Sequence, residues 1–398
     1  MNYLDTVNKR TLEYFKVLES DFPEWLWEYI NTEALFKQNY ISVTCGTIYS
    51  DLFESSYFYS SLDHSIGVAL IVWHFTHDKK QTLAGLFHDI ATPVFKHCID
   101  FLNGDYMTQE STEDLTTEII SNSSEIMSLL KRDNIKLEEV NDYHKYPIAD
   151  NDTPMLSADR LEYTLSNALF HYNKLNLQEI EEIYNDIIIQ SNENNVSELG
   201  FKTLDIAMRF VRAMSKLAII YFEERTRYSM QFLADIVKKL NEEKLITIDD
   251  LYSKKESDII RIIESSKYSK VYDIWKTAKM VNISQQQPEN VYFVHHGAKK
   301  RYINPLVNGK RITLIEKEAK ELIDKVLNYD MSAYIWLDFD FWKGCEKMLD
   351  LEENSKKLQE LKKRLEQIGD SLWCRKQRKR VKRVRKQNNW KRFLEWYG

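Results

Sequence analysis

Apolar residues recur at three- and four-residue spacing through most of residues 1–285, the period of amphipathic α-helices. Two stretches illustrate the spacing: Leu156, Leu161, Leu165 and Leu169, and then Ile206, Phe210, Met214, Leu217 and Tyr221. Prolines at positions 23, 93, 147 and 154 mark places where helices are expected to begin or end. An apolar helix is predicted at Ser65–Phe75, with Ser61–Asp63 as its N-cap. The pattern predicts a mainly α-helical body.

The pattern changes at Gln285–Pro288. Beyond it, the stretches VYFVHH, KRYINPLV and GKRITLI are rich in β-branched and aromatic residues, with Gly and Asn-Gly between them. This composition predicts short strands, and Tyr334–Leu337 predicts another. Heptad-like steps then predict a terminal helix over Leu351, Leu358, Leu361, Leu365, Ile368 and Leu372. We therefore expect an N-terminal helical segment (1–40), a helical core (41–285), a small strand-containing α+β appendage (286–350) and a helix with a tail (351–398).

Charge is distributed unevenly along the 398 residues, although the formal net charge is only −6. Residues 371–398 carry 11 basic and 1 acidic residue, or +10, so the first 370 residues carry −16. Aromatic residues lie among the lysines and arginines of this tail, a mixture suited to nucleic acid. Docking of the tail on the acidic body or on a neighbouring subunit is the alternative.

The cysteine spacing and the lack of long apolar stretches favour a cytoplasmic protein. Four cysteines lie far apart with no CxxC pair, which fits a reducing compartment. The sequence MNYLDTVNKR lacks the pattern of a secretory signal. The apolar stretch Ile66–Phe75 is well below the ~20 residues that a membrane span needs. We expect a soluble protein with no membrane partner.

Histidines and aspartates occur at the ends of predicted helices in a pattern that suits a metal site. Asp63-His64 lies at the start of an apolar helix, His88-Asp89 follows the run LAGLF, and Ser157–Arg160 opens another helix. Two imidazoles and two carboxylates can bind a divalent ion and leave positions open for water and phosphate oxygens. Adjacent His88 and Asp89 can share one ion only where a helix ends, and Thr92-Pro93 predicts such an end.

Three of these stretches resemble the signature motifs of the HD superfamily of metal-dependent phosphohydrolases: SSLDHSIGV (60–68), LFHDIATPVFKH (86–97) and SADRLEYTL (157–165). They are most similar to the branch with the dNTP triphosphohydrolases, which includes the vertebrate sterile-alpha-motif/HD enzyme and bacterial dGTP triphosphohydrolases. KKRYINPLVNGKRIT (299–313) resembles the strand region that follows the HD core in that branch. The resemblance covers roughly residues 40–345 and implies an HD-domain helical bundle.

The resemblance also implies roles for individual residues. The metal ligands would be His64, His88, Asp89 and Asp159, holding one divalent ion such as Mn, Fe, Ni, Co or Mg. His97 would face the phosphates, with Asp100 supporting it in proton transfer. The substrate-binding residues would be Arg160 for phosphate, Tyr163 for the sugar, and Asn167. Asp159, Tyr163 and Asn167 fall at i, i+4 and i+8, on one helix face.

The chain departs from the triphosphohydrolase pattern at three positions. Thr92 and Gln109 stand where the family usually has histidines, and Ser61 stands where it has an arginine. A metal-activated water does not require these groups, but protonation of the leaving group, often worth 10²–10⁴-fold, needs another donor. His97 is the candidate that remains.

We therefore expect a divalent-metal-dependent phosphohydrolase that acts on nucleoside phosphates such as dNTPs or NTPs, as a homo-oligomer. Two alternatives stay open. One is an HD phosphodiesterase or nuclease that holds nucleic acid through the tail at 371–398. The other is a metal-binding nucleotide sensor with little turnover, which the departures at Ser61, Thr92 and Gln109 would suit.

Overall fold

The computed structural model of the chain describes residues 2–102, 104–107 and 115–338. Gln109, the last residues of the predicted appendage, and the predicted terminal helix with its basic tail lie outside the described residues.

The described part of the chain is mainly helical, as predicted. Its N-terminal half contains these α-helices, joined by loops and short 3-10 turns: α1 (Lys9–Leu18), α2 (Leu26–Ile30), α3 (Glu33–Phe36), α4 (Ser61–Thr76), α5 (Lys79–Phe87), α6 (Cys98–Leu102), α7 (Thr116–Asn122), α8 (Ser124–Arg132), α9 (Ala158–Ser166) and α10 (Leu177–Asn185). A π-helical turn, Asn167–His171, continues α9.

Strands appear in the second half, between and after further helices. The helices are α11 (Leu204–Ile220), α12 (Glu224–Glu242), α13 (Ile248–Ser253), α14 (Glu256–Ser265), α15 (Ser269–Thr277), α16 (Ile312–Ile315) and α17 (Lys317–Leu327). The strands are β1 (Ile187–Ser191), β2 (Ser197–Phe201), β3 (Asn282–Ser284), β4 (Phe293–Val294), β5 (Leu306–Val307), β6 (Lys310–Arg311) and β7 (Tyr334–Trp336).

Helix α4 lies at the centre of the helical layers. Its residues from Ser61 to Val72 are all buried, and it packs against α1, α5 and α9. A helix that is buried all round has no polar face, which explains its continuous apolar run. The helix begins four residues earlier than predicted, because Ser60 and Asp63 form a capping box. In the described part of the chain, no helix is both long and apolar enough to cross a membrane.

The helical pattern predicted for most of residues 1–285 is interrupted at residues 187–201, where no strand was predicted. These residues form an antiparallel β1–β2 hairpin, and β2 also pairs in parallel with β5. The resulting sheet has the order β1-β2-β5-β6, so it joins the middle of the chain to the C-terminal strand region. Strand β7 lies within the predicted strand Tyr334–Leu337. It pairs with β3 and β4 in a second sheet of order β3-β7-β4.

The predicted Asn-Gly turn is present between β5 and β6. Asn308 and Gly309 have φ angles of 47° and 74°, as a two-residue hairpin turn requires. The prediction of a strand over GKRITLI holds only for Lys310–Arg311, since Ile312–Ile315 is helical. Arg311 turns inward and forms an ion pair with buried Glu198, which fixes the chain at this point.

Candidate metal centre

Three helices bring the predicted metal ligands to one point. His64 lies in the first turn of α4, His88 and Asp89 directly follow the end of α5, and Asp159 lies in the first turn of α9. Helix α9 is capped by Ser157, whose side chain accepts a hydrogen bond from the backbone of Arg160. Because α4 packs against both α5 and α9, these helix ends meet.

The four side chains point their donor atoms into a common space. His64 Nε2 lies 3.1 Å from Asp159 Oδ1, 3.1 Å from His88 Nε2 and 3.9 Å from Asp89 Oδ2. His88 Nε2 lies 3.7 Å from both Asp89 Oδ2 and Asp159 Oδ1. Atoms bound about 2.1 Å from one ion lie about 3.0–3.4 Å apart at adjacent positions. The donors of His64, His88 and Asp89, all within 4.8 Å of one another, therefore suit a single divalent cation with slight contraction, and Asp159 adjoins the two imidazoles as a further candidate ligand.

Hydrogen bonds at the far side of each imidazole fix which nitrogen faces this space. His88 Nδ1 donates to the carbonyl oxygen of Gly85 at 2.7 Å, and His64 Nδ1 bonds to a carboxylate oxygen of Glu162. With Nδ1 bonded in this way, Nε2 of each ring is the nitrogen that faces the common space, and loss of its proton on metal binding would present the lone pair to the ion. Both rings are thus oriented as metal ligands need.

Glu162 is a site residue that the sequence interpretation missed. It is fully buried, and Tyr59 donates to its Oε1 at 2.6 Å. A Cβ atom at Gly67 would lie 2.7 Å from Glu162 Cγ, so a glycine is needed there for α4 and α9 to approach. The i, i+3 spacing of Asp159 and Glu162, which puts both on one face of α9, is the signal that could have found it.

The electrostatics of this cluster favour a cation. Burial lowers the pKa of His64, but Glu162 and Asp159 outweigh that effect and raise it to about 10. The pKa of Asp159 is lowered because His64, His88 and Arg160 outweigh the opposing effect of burial. The cluster of ionised carboxylates thus draws positive charge to itself, and a divalent ion would meet the same attraction.

Lys96 lies directly beside Asp89 and was also missed. Its ammonium group is 2.5 Å from Asp89 Oδ2 and 3.4 Å from Ser61 Oγ, and the side chain is buried. Phe95 and Lys96 have φ angles of 64° and 44°, rare for bulky residues, so the turn is held in a strained conformation. In the sequence, the feature that could have indicated this role is a lysine directly after the apolar residues 93–95.

The turn that carries these residues is braced by the N-terminal segment. Gln38 donates to the carbonyl oxygens of Ile90 at 2.8 Å and Thr92 at 3.2 Å, and Lys37 also reaches the Thr92 carbonyl. Thr92 is buried at this point. Ser61 lies next to the centre, with Oγ 3.3 Å from Asp89 Oδ2.

His97 and Asp100 form a pair, as the resemblance implies. His97 Nδ1 lies 2.9 Å from Asp100 Oδ2, and a guanidinium nitrogen of Arg301 lies 3.4 Å from His97 Nε2. Burial, with smaller effects from Arg301 and Lys96, lowers the pKa of His97 against the opposing effect of Asp100. His97 is therefore a neutral imidazole at neutral pH, with the guanidinium of Arg301 beside it.

The predicted substrate-binding residues lie along α9 and the π-helical turn that continues it. Arg160 is held by Asp150 at 3.1 Å and Asn151 at 2.7 Å. Tyr163 has its pKa raised to about 12 by burial, and its ring makes an edge contact with Tyr221 at 6.0 Å between centroids. Asn167, at the start of the π-helical turn, donates to the carbonyl oxygen of Tyr163 at 2.7 Å.

Comparisons with known proteins give a fold but no function. No protein-family model matches the chain. The chain is 25% identical over 247 residues to the uncharacterized protein YdhJ of Bacillus subtilis (strain 168), an alignment that spans 62% of this chain and 73% of YdhJ. The crystal structure of a hypothetical protein from Aquifex aeolicus is similar with a TM-score of 0.51 and 17% identity, covering 81% of this chain and 95% of that one. The chain therefore shares its fold with the Aquifex aeolicus protein.

Proposed function

We propose that this protein is a divalent-metal-dependent phosphohydrolase of the HD type that acts on nucleoside phosphates. The observation that carries the proposal is the convergence of His64, His88 and Asp89, whose donor atoms all lie within 4.8 Å of one another, with Asp159 3.1 Å from His64 and 3.7 Å from His88. The resemblance of the three signature stretches to the HD superfamily supports the same assignment.

The donor set suits an ion such as Mn, Fe, Ni or Co, or the harder Mg. When bound there, the ion supplies Lewis acidity to water and to a phosphoryl oxygen. The chain contributes orientation and proton control around it. Glu162 fixes the His64 ring, and the buried surroundings strengthen each charge interaction.

His97 is placed to handle the proton of the leaving group. Asp100 accepts the Nδ1 proton, so the neutral ring presents the Nε2 lone pair towards Arg301. An anionic substrate arriving at this nitrogen offsets the nearby positive charges and raises the pKa of His97. The histidine can then take up a proton and donate it to the leaving oxygen.

The nucleoside part of the proposal rests on α9. Tyr163 is one helical turn beyond Asp159, and Tyr221 lies against its ring, so aromatic surface adjoins the metal centre. Asn167 adds an amide one turn further on. An aromatic surface with a polar group suits a sugar or base next to phosphates held at the metal.

The test is a substrate screen with the purified full chain. Release of phosphate, pyrophosphate or triphosphate is measured from dNTPs, NTPs, nucleoside monophosphates and short oligonucleotides, each with Mn, Ni, Fe, Co and Mg. We expect turnover of at least one nucleoside phosphate, abolished in His88→Ala and Asp89→Ala and retained in Asp152→Ala, which changes an exposed carboxylate.

Other results of the screen would select the alternatives. Cleavage of oligonucleotides alone would support a nuclease, with the basic tail at 371–398 as its nucleic-acid contact, a prediction that lies outside the described residues. Metal and nucleotide binding without any product would support a sensor. The absence of metal binding under all loading conditions would contradict the proposal.

A further inference from the structure

Two cationic side chains, buried Lys96 and half-buried Arg301, lie beside residues of the proposed site, and they come from distant parts of the chain. Lys96 follows the His88-Asp89 turn, whereas Arg301 lies 205 positions later, in the segment before β5. Neither belongs to the residues that the resemblance marks as substrate-binding. Burying the charge of Lys96 is costly unless the fold gives it a partner, and placing a second cation near it adds repulsion unless an anion binds there.

Lys96 has its partner in the metal centre itself. Its ammonium group contacts Asp89 Oδ2, the same oxygen that faces His64 and His88. A cation bound at the centre would draw on that oxygen too, and Lys96 would then share the charge of Asp89. An anion next to both would be attracted by the ion and by the ammonium group together.

Arg301 is held in place by a segment fixed at three points. The buried guanidinium of Arg227 donates to the carbonyl oxygen of His296 at 2.7 Å. The backbone amide of Lys299 donates to the carbonyl oxygen of Tyr106 at 3.1 Å, and that of Asn304 to Pro154 at 2.8 Å. A side chain on so well anchored a backbone is preorganised, which lowers the entropy cost of binding a ligand.

The guanidinium of Arg301 lies among groups of the proposed site. It is 3.4 Å from His97 Nε2. Burial raises the pKa of Tyr163, and the positive charge of Arg301 acts against that effect. Burial lowers the pKa of His97, and Arg301 lowers it further. Arg301 is thus close both to the turn that carries Lys96 and to α9, which carries Asp159. A planar guanidinium can bind two oxygens of a phosphate at once.

We infer that Lys96 and Arg301 form a phosphate-binding site beside the metal centre, which takes the oxygens of a di- or triphosphate chain. The segment before β5 is then part of the substrate site, and the strand region contributes directly to specificity. This inference deepens the proposed function and rests on it for the reaction, but not for the binding of the phosphate chain itself.

The experiment measures binding of inorganic tripolyphosphate to the full chain by calorimetry. The titrations are run in two conditions: on chelator-treated protein without metal, and with the same free Mn²⁺ concentration in cell and syringe. Mn²⁺ affinity is measured in a separate titration. Wild type, Arg301→Gln, Arg301→Lys and Arg212→Gln are compared. Arg212→Gln removes the same charge from an exposed ion pair with Glu318 and serves as the matched control.

We expect Arg301→Gln to bind tripolyphosphate at least about tenfold more weakly, with Mn²⁺ affinity within about threefold of wild type. Arg301→Lys should retain part of the affinity, because it keeps the charge but loses the two-pronged geometry. Should Arg301→Gln fail to fold, Arg301→Lys decides, and affinity equal to wild type would count against the inference. Arg212→Gln should match wild type.

The outcomes separate this inference from the proposed function. Tripolyphosphate binding that depends on Arg301 but not on metal, in a protein that binds no Mn²⁺, would support the inference and contradict the proposed function. Equal affinity in wild type and Arg301→Gln, or no binding by wild type, would overturn the inference. A nonhydrolysable dNTP analogue that binds more tightly than tripolyphosphate identifies a nucleotide chain as the source, while equal or weaker binding identifies free polyphosphate.

Discussion

Two histidines of the site, His64 and His97, have pKa values that shift in opposite directions. Carboxylates surround His64 and raise its pKa to about 10 against the effect of burial. His97 has Arg301 and Lys96 nearby, and burial with these charges lowers its pKa despite Asp100. The site thus has an anionic side, the metal centre, and a cationic side, formed by Lys96 and Arg301.

The difference shows that neighbouring charge decides the role of each imidazole. On the anionic side, a metal cation can replace the Nε2 proton of His64. On the cationic side, a bound anion would raise the pKa of His97 and favour its protonation. The proposed substrate, a phosphate ester held by a metal ion, would contact both sides. Substitutions of the carboxylates or of His97 change one side alone, whereas a substitution of Lys96, which contacts Asp89, changes both.

Removing a carboxylate from the metal centre should have the largest effect. We expect Asp159→Ala and Asp89→Ala to lose stoichiometric metal and to reduce turnover by at least about 10³-fold, because each removes a charged ligand. Metal content by mass spectrometry of the purified protein checks this, with exposed Asp152→Ala as the control. Full metal content in both variants would contradict the assignment of the ligands.

Changing His97 should reduce turnover and leave the metal in place. We expect His97→Gln to lower kcat by about 10²–10⁴-fold, the usual contribution of a group that transfers a proton in the transition state. Metal content and Mn²⁺ affinity should match wild type, since His97 is on the cationic side. Unchanged kcat would show that another group protonates the leaving oxygen.

Glu162 supports the anionic side from behind His64. We expect Glu162→Gln to weaken Mn²⁺ binding by about 10–100-fold, because the amide orients the ring less well and removes a nearby charge. Calorimetric Mn²⁺ titration measures the change, and Glu118→Gln, on an exposed face of α7, serves as the control. An affinity equal to that of wild type would mean that Glu162 only fills space in the core.

Lys96→Gln should have two smaller effects of opposite sign. Without the ammonium group next to Asp89, Mn²⁺ affinity should rise by about two- to fivefold, since a like charge is removed. The affinity for tripolyphosphate should fall, because one cation of the phosphate-binding site is lost. Parallel calorimetric titrations test both, and a fall in both affinities would indicate that Lys96 only stabilises the turn.

The pH dependence of stability tests the support beneath the cationic side. Glu256 is fully buried, accepts a hydrogen bond from the backbone of Phe95, and has its pKa raised by burial to about 7. The folded protein therefore binds a proton more tightly than the unfolded chain, and stability falls as pH rises from about 4.5 to 7. Glu256→Gln should remove this loss, which is on the order of 2 kcal/mol.

Thermal unfolding at pH 5 and pH 8 measures that difference. Wild type should lose several degrees of Tm relative to the variant between these two pH values. Parallel Tm curves for the two proteins would show that Glu256 is not the group that titrates.

The helices could be predicted from the sequence because they depend on local spacing, whereas the four candidate ligands were taken from the resemblance to the HD motifs. Helical periodicity places His64 and Asp159 in first turns, and the Thr92-Pro93 pair marks the turn after Asp89. The β1–β2 hairpin was missed because its apolar run, Ile187–Ile189, is too short to distinguish a strand from a helix.

The other site residues depend on tertiary contacts that spacing does not encode. In the sequence, Glu162 is one more polar position of an amphipathic helix. Only the packing of α4 against α9 shows that its side chain is buried. Arg301 is more than 200 residues from His97 in the chain, and only the anchoring of its segment by Arg227, Tyr106 and Pro154 brings the two together. The charges that distinguish the two sides therefore become visible only in the folded protein.

The most direct test of the account is anomalous diffraction from crystals of the full chain loaded with Mn²⁺. The account predicts one strong peak at the Mn edge, bonded to His64 Nε2, His88 Nε2, Asp89 and Asp159, and lost in crystals of Asp159→Ala. No peak in the wild-type protein, or a peak bonded to a different set of residues, would contradict it.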